Sequence, residues 1–136
     1  MAIESLDPKA SFASMSKTDG AIFVDVRTVE EFDAGHPEGA VNVPWAFRGA
    51  GGMQPNPKFD AEMEQQFGKD ARLYLSCQAG GRSLKACHQL DAAGFSNLVN
   101  VDGGWGGRRD PSGTVQCAGW VDSGLPTASE KSTYTE

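Results

Sequence analysis

The sequence predicts an α/β domain: a parallel sheet with helices on both faces. Two observations carry this. Short, apolar, β-branched runs recur along the 136 residues, and stretches with helical character separate most of them. Strands joined by helix-length connections cross over and lie parallel, which buries the sheet between helical layers. The length suits one such domain and is short for two.

The elements follow in chain order. Residues 3–6 read as a weak strand. Residues 21–26 (AIFVDV) follow an Asp19-Gly20 turn and read as a buried strand. Thr28 then has N-cap chemistry, with Glu31 at capping-box spacing, so a short helix opens there. Residues 40–43 form another strand, stopped by Pro44, and residues 58–67 a helix. Residues 72–76 and 97–101 are two further strands. Between them, residues 82–93 form a helix with Leu84, Cys87 and Leu90 on one face and Gly94 at its end. Residues 1–127 make the domain, and the polar residues 128–136 a tail frayed from Ser129.

Composition narrows the chemistry. With 39% hydrophobic and 22% charged residues, the chain has the balance of a globular domain. A net charge of -6 argues against nucleic acid as a partner, because phosphate binding needs an extended basic surface. An acidic protein that handles anions must gather positive charge in one pocket. The first residues lack a basic start and an apolar run, and no window has the length of a membrane span. The expectation is therefore no signal peptide and no membrane partner. Cys77, Cys87 and Cys117 are odd in number and irregular in spacing, which fits a reducing cytoplasm better than a disulfide framework.

Ligands of parallel α/β sheets bind at the carboxyl ends of the strands. One strand ends at Ser76 and runs into Cys77-Gln78-Ala79-Gly80-Gly81-Arg82-Ser83, where a helix begins. Gly80 and Gly81 permit the dihedrals that turn successive N–H groups toward one point. The helix N-terminus adds positive potential and Arg82 a full charge. All three favour thiolate over thiol at Cys77 and would hold an anionic group attached to it. A structural cysteine would more often have apolar neighbours.

This loop, with the preceding LYLS, resembles the active-site loop of the rhodanese family. A second stretch is also similar to that family: Asp25-Val26-Arg27, Glu30-Glu31-Phe32, Gly35-His36, Gly39-Ala40 and Asn42-Val43-Pro44. A third match is Gly103-Gly104, with Trp120 and Gly124-Leu125-Pro126 closing the domain. The matches run in family order from about Asp7 to Thr127. The resemblance implies a rhodanese-like fold, with a five-stranded parallel sheet between helices. It also implies sulfur transfer through a persulfide on Cys77, without metal or organic cofactor. The partners would be a small anionic sulfur donor (thiosulfate or polysulfide) or a protein persulfide, and a thiophilic acceptor such as cyanide or a thiol.

Other residues carry lesser expectations. Asp25 and Arg27 read as a structural pair with Glu30 or Glu31, His36 as a hydrogen-bonded structural histidine, and Cys87 as core. Pro37-Glu38 stand where the family commonly has Ile-Pro. The segment 105–117 is longer than the family needs to reach Trp120 and should emerge on the active-site side, the alternative being that it and the loop at 45–57 are plain exposed turns, with a hairpin at Pro111-Ser112-Gly113. With the loop at 45–57 it could form a rim carrying Trp45, Arg48, Trp105 and Arg108. Cys117 reads as a spectator thiol, and His88 has no metal-ligand spacing with the cysteines. A phosphatase on this fold would need five residues between Cys and Arg. Here there are four, Gln78 to Gly81, a smaller ring that suits sulfur. A binding module or a sulfur carrier without turnover is the remaining alternative.

Overall fold

The computed structural model describes residues 3–135; Met1, Ala2 and Glu136, the outer ends of the expected domain and tail, lie outside them. Five parallel strands form the central sheet: β1 (Glu4–Leu6), β2 (Ile22–Asp25), β3 (Val41–Asn42), β4 (Leu73–Ser76) and β5 (Leu98–Val101). Their spatial order is β1-β5-β4-β2-β3. The strand that leads to Cys77 is thus central, which is why Leu73, Tyr74 and Leu75 are all buried. Register pairs Leu75 with Val24 on one side and with Asn100 on the other.

Alternation along the strands divides the core in two. Val24, Leu73, Leu75, Cys77 and Leu98 face helices α3 (Phe59–Gln66) and α4 (Gly81–Ala92), meeting Phe59, Met63, Ala86, Cys87 and Leu90. Phe23, Tyr74, Val99 and Val101 face the other way, onto Trp120, Met15 and Leu125. Each large side chain so buried contributes about 2 kcal/mol from apolar area. The helix α2 (Val29–Asp33) begins with the expected capping box between Thr28 and Glu31.

Helix α1 (Pro8–Ser16) was not expected. Its serine-rich sequence has no apolar stripe, although Asp7 caps the Ala10 N–H at 2.7 Å and Pro8 opens the helix. Leu84 departs from its expected place on the buried face of α4: it is exposed, and Ser83 and Ala86 are buried with Cys87 and Leu90. The loop at 45–57 holds an antiparallel hairpin, Ala46–Gly49 with Gly52–Pro55. Arg108–Arg109 pairs with Val115–Cys117 around the anticipated turn, which Asp110 closes by accepting from the Ser112 and Thr114 N–H groups.

The tail read as frayed is instead laid along the fold as far as residue 135. Thr127–Ala128 pairs with His36–Pro37. Ser132 N–H donates to Asp33 and its hydroxyl to Asn42, both at 2.7 Å, while the Tyr134 hydroxyl donates to Glu62. The polarity that suggested solvent is spent on side-chain hydrogen bonds across the β3 edge. No helix among the described residues is long and apolar enough to cross a membrane.

Candidate active site

Cys77 directly follows β4 on the α4 side of the sheet and is 1% exposed. The chain turns at Gly80, whose φ of +112° lies in the left-handed region and aims its N–H at the sulfur. Gly80 N–H donates to Cys77 Sγ at 3.1 Å and Ser83 N–H at 3.4 Å. Ser83 Oγ lies 3.4 Å from the same sulfur. Two backbone donors and a hydroxyl thus surround one sulfur at the start of α4, an arrangement that stabilises negative charge there. Gly81 contributes less than expected: it has no positive φ and simply opens the helix. Gln78 is exposed and Ala79 half-buried.

Arg82 turns its guanidinium to Glu31, with two hydrogen bonds of 2.8 and 3.0 Å. This corrects the expected pairing, because Arg27 binds Asp25 and the Gly35 carbonyl, leaving Glu31 for Arg82. Burial pushes the Glu31 carboxyl up, but hydrogen bonds from Arg82 and Thr28 outweigh it and hold the group at about 2. The bond to Glu31 likewise raises Arg82, with smaller contributions from Cys77 and Asp25, so these groups lie within electrostatic reach of one another. Glu31 was legible as a cap, yet it also locks the arginine of the Cys77 loop.

The segment after β5 docks directly on the loop. Trp105 N–H donates to the Cys77 carbonyl at 2.8 Å and Gly106 N–H to the Gln78 carbonyl at 2.9 Å. Trp105 packs on the second core cluster, with the Arg27 guanidinium over its ring at 5.1 Å. Arg108 pairs with Asp102 at 2.8 Å. Trp45 belongs to the opposite face, where its indole N–H donates to Gln89 of α4. Arg48 lies with Glu30, Phe47 and Tyr134 around a cleft beside α2. Trp105 therefore touches the Cys77 loop, whereas Trp45 and Arg48 have other neighbours.

Cys87 is fully buried, and burial pushes its thiol up to about 12. Burial, with Asp102, also raises Cys117, whose sulfur points at the Asp102 carbonyl. His36 is buried, stacked on Phe32, and bonded through Nδ1 to the Phe32 carbonyl. No three His, Cys, Asp or Glu side chains among the described residues converge as a metal site. Sequence reasoning missed Asn100: its Oδ1 accepts from Ser83 Oγ at 2.6 Å. A polar residue in an otherwise apolar strand was the available signal.

Glu31→Gln should loosen this arrangement without removing the helix cap. The expected cost is about 1–2 kcal/mol of stability. The sign with pH follows from the carboxyl. Its folded value lies below the ordinary carboxyl value of 4.5, so the stability it contributes is full above that and is lost as pH falls toward about 2. Melting temperature measured against pH should decline less steeply on the acid side in Glu31→Gln; parallel acid limbs would contradict the assignment.

Comparison with known proteins agrees with the geometry. Residues 9–107 match the model of the rhodanese-like domain. Thiosulfate sulfurtransferase 16, chloroplastic, of Arabidopsis thaliana is 41% identical over 108 residues, spanning 79% of this chain and 80% of that protein. Thiosulfate sulfurtransferase 18 of the same plant is 33% identical, over 87% of this chain and 82% of its own. Among solved structures, Rv0390 from M. tuberculosis superposes with a TM-score of 0.79 at 27% identity, covering 96% of this chain and 100% of that one. A cysteine cradled at the end of a central parallel strand, in a chain matched over most of its length, places this protein in the rhodanese-like domain family.

Proposed function

We propose that the protein is a sulfurtransferase that carries sulfane sulfur as a persulfide on Cys77. The observation that carries this reading is the cage around the Cys77 sulfur: two N–H donors and a hydroxyl, built by a loop with four residues between Cys77 and Arg82, one fewer than a phosphoryl cradle needs. The Cys77 thiolate attacks the outer sulfur of thiosulfate; the S–S bond breaks, and sulfite leaves with the electron pair. Cyanide or a thiolate then attacks the terminal sulfur of the persulfide, and the Cys77 thiolate is regenerated. No metal or organic cofactor is required, and a reducing compartment such as the cytoplasm keeps the thiol available.

The donor need not be thiosulfate. Arg27, Arg82 and Arg108 each face a carboxylate, and the loop has Gln78 and Ala79 where a cation could stand. A small dianion such as thiosulfate or polysulfide thus finds hydrogen bonds and little net positive charge, which favours a protein persulfide as donor. Carriage without turnover is the second reading that this observation supports.

The reduced protein should be incubated separately with thiosulfate and with polysulfide, and its peptides weighed. One added sulfur on the Cys77 peptide, removed by cyanide, is the expected result. Sulfur on Cys87 or Cys117 instead would sink the reading, and no added sulfur from either donor would sink its small-molecule form and leave a protein persulfide as the donor.

A further inference from the structure

Asn100 lies in β5 beside Leu75, is 3% exposed, and points to the α4 side of the sheet among apolar residues. Burying an amide is costly unless it is hydrogen-bonded, and the bond it makes is to Ser83. The Ser83 hydroxyl has three neighbours: Asn100 Oδ1 at 2.6 Å, the Gly80 carbonyl at 3.2 Å and Cys77 Sγ at 3.4 Å. It has one proton to give.

That single proton makes the arrangement dependent on the charge of the sulfur. With the proton on Asn100, a lone pair of Ser83 Oγ faces Cys77, which suits a thiol whose S–H donates to it. Once the sulfur is an anion, the same lone pair faces negative charge. The hydroxyl proton must then turn onto the sulfur, which vacates Oδ1. A carboxylate at position 100 would oppose that turn. An amide permits it, because rotation about its last torsion exchanges Oδ1 for Nδ2 in nearly the same volume. Nδ2 then donates to Ser83 Oγ, and the number of hydrogen bonds is unchanged.

Resting on the reading of Cys77 as the nucleophile, we infer that Asn100 is a positioning residue. Its amide accepts from Ser83 when Cys77 is a thiol, and donates to Ser83 when the sulfur is anionic. Asn100 thereby directs a third hydrogen bond onto the reacting sulfur without touching it.

The test compares Asn100→Asp, Ser83→Ala and the double variant with the wild-type protein. The readout is the rate of Cys77 alkylation by iodoacetamide as a function of pH, which needs no sulfur donor. Asn100→Asp should move the profile up by about one pH unit, a tenfold slower reaction on the rising limb. In the Ser83→Ala background the same substitution should move it by less than half as much, since the residue acts through the hydroxyl. A profile that superimposes on wild type overturns the inference. So does an equal shift in both backgrounds, which would be the through-space effect of an added charge.

Should Asn100→Asp fail to fold, the wild-type protein decides by NMR. The Asn100 side-chain amide protons should move downfield with the same pH midpoint as Cys77 alkylation, and resonances that stay in place overturn the inference. A protein that takes up no sulfur yet shows the coupled shift would discredit the sulfurtransferase reading alone.

Discussion

Cys77→Ser should abolish sulfur transfer, lowering thiocyanate formation by about a thousandfold or more, while the protein stays folded. A serine hydroxyl cannot form a persulfide. Its oxygen would sit in the same cage, receiving the Gly80 and Ser83 N–H groups. The position is 1% exposed within an apolar cluster, so exchange of sulfur for a smaller oxygen costs about 1–2 kcal/mol, small beside the stability of a domain. The other two cysteines give the contrast. Cys87 is held neutral by burial, up at about 12, and its replacement by alanine should lower the melting temperature but spare persulfide formation. Cys117→Ser should keep at least about half the transfer rate, because burial and Asp102 disfavour its thiolate. Thiocyanate assays with mass mapping of all three variants check this together. Residual turnover in Cys77→Ser, or its loss in Cys117→Ser, would move the chemistry elsewhere.

Much of this was legible from the sequence, and the boundary is physical. Strands β2, β4 and β5 are short apolar runs whose two faces are both covered, so local composition reveals them. The Cys77 loop is legible because strand, cysteine, glycine and helix start are contiguous. Contacts between distant segments are not. Glu31 and Arg82 stand 51 positions apart, and no local pattern joins them; the capping box was visible and the ion pair was not. Asn100 and Ser83 meet only because β5 lies beside β4. Helix α1 was missed because its serines serve α1 and the sheet beside it: Ser11 donates to the Leu6 carbonyl and Ser14 bonds to the Tyr74 hydroxyl. A polar helix can thus cover a sheet without the periodicity that announces one. The tail was misread for a related reason, since its polar groups find partners on β3, α2 and α3 that sequence alone does not place nearby.

Gly104→Ala should be severely damaging, in stability and activity alike, although it lies outside the loop itself. Gly104 has a φ of +51°, a region that costs an alanine about 1–2 kcal/mol. The steric term is larger. A Cβ there would lie 2.1 Å from the Cys77 carbonyl oxygen and 3.0 Å from the Gln78 carbonyl carbon. Those atoms are backbone and cannot rotate away. The segment would have to lift, breaking the Trp105 and Gly106 hydrogen bonds to the loop and uncovering Trp105. Strain, two hydrogen bonds and lost packing together come to about 4 kcal/mol or more, about 10–15 °C in melting temperature for a domain of this size. The surviving folded protein should also transfer sulfur about tenfold more slowly, since the carbonyls of Cys77 and Gln78 lose the donors that hold the cage. Gly39→Ala isolates the dihedral cost: φ is +85°, but nothing lies within 4 Å of the added methyl. It should lower the melting temperature by only a few degrees and leave transfer unchanged. If Gly104→Ala melts no lower than Gly39→Ala, the close approach of the 103–107 segment to the catalytic loop does not govern the site.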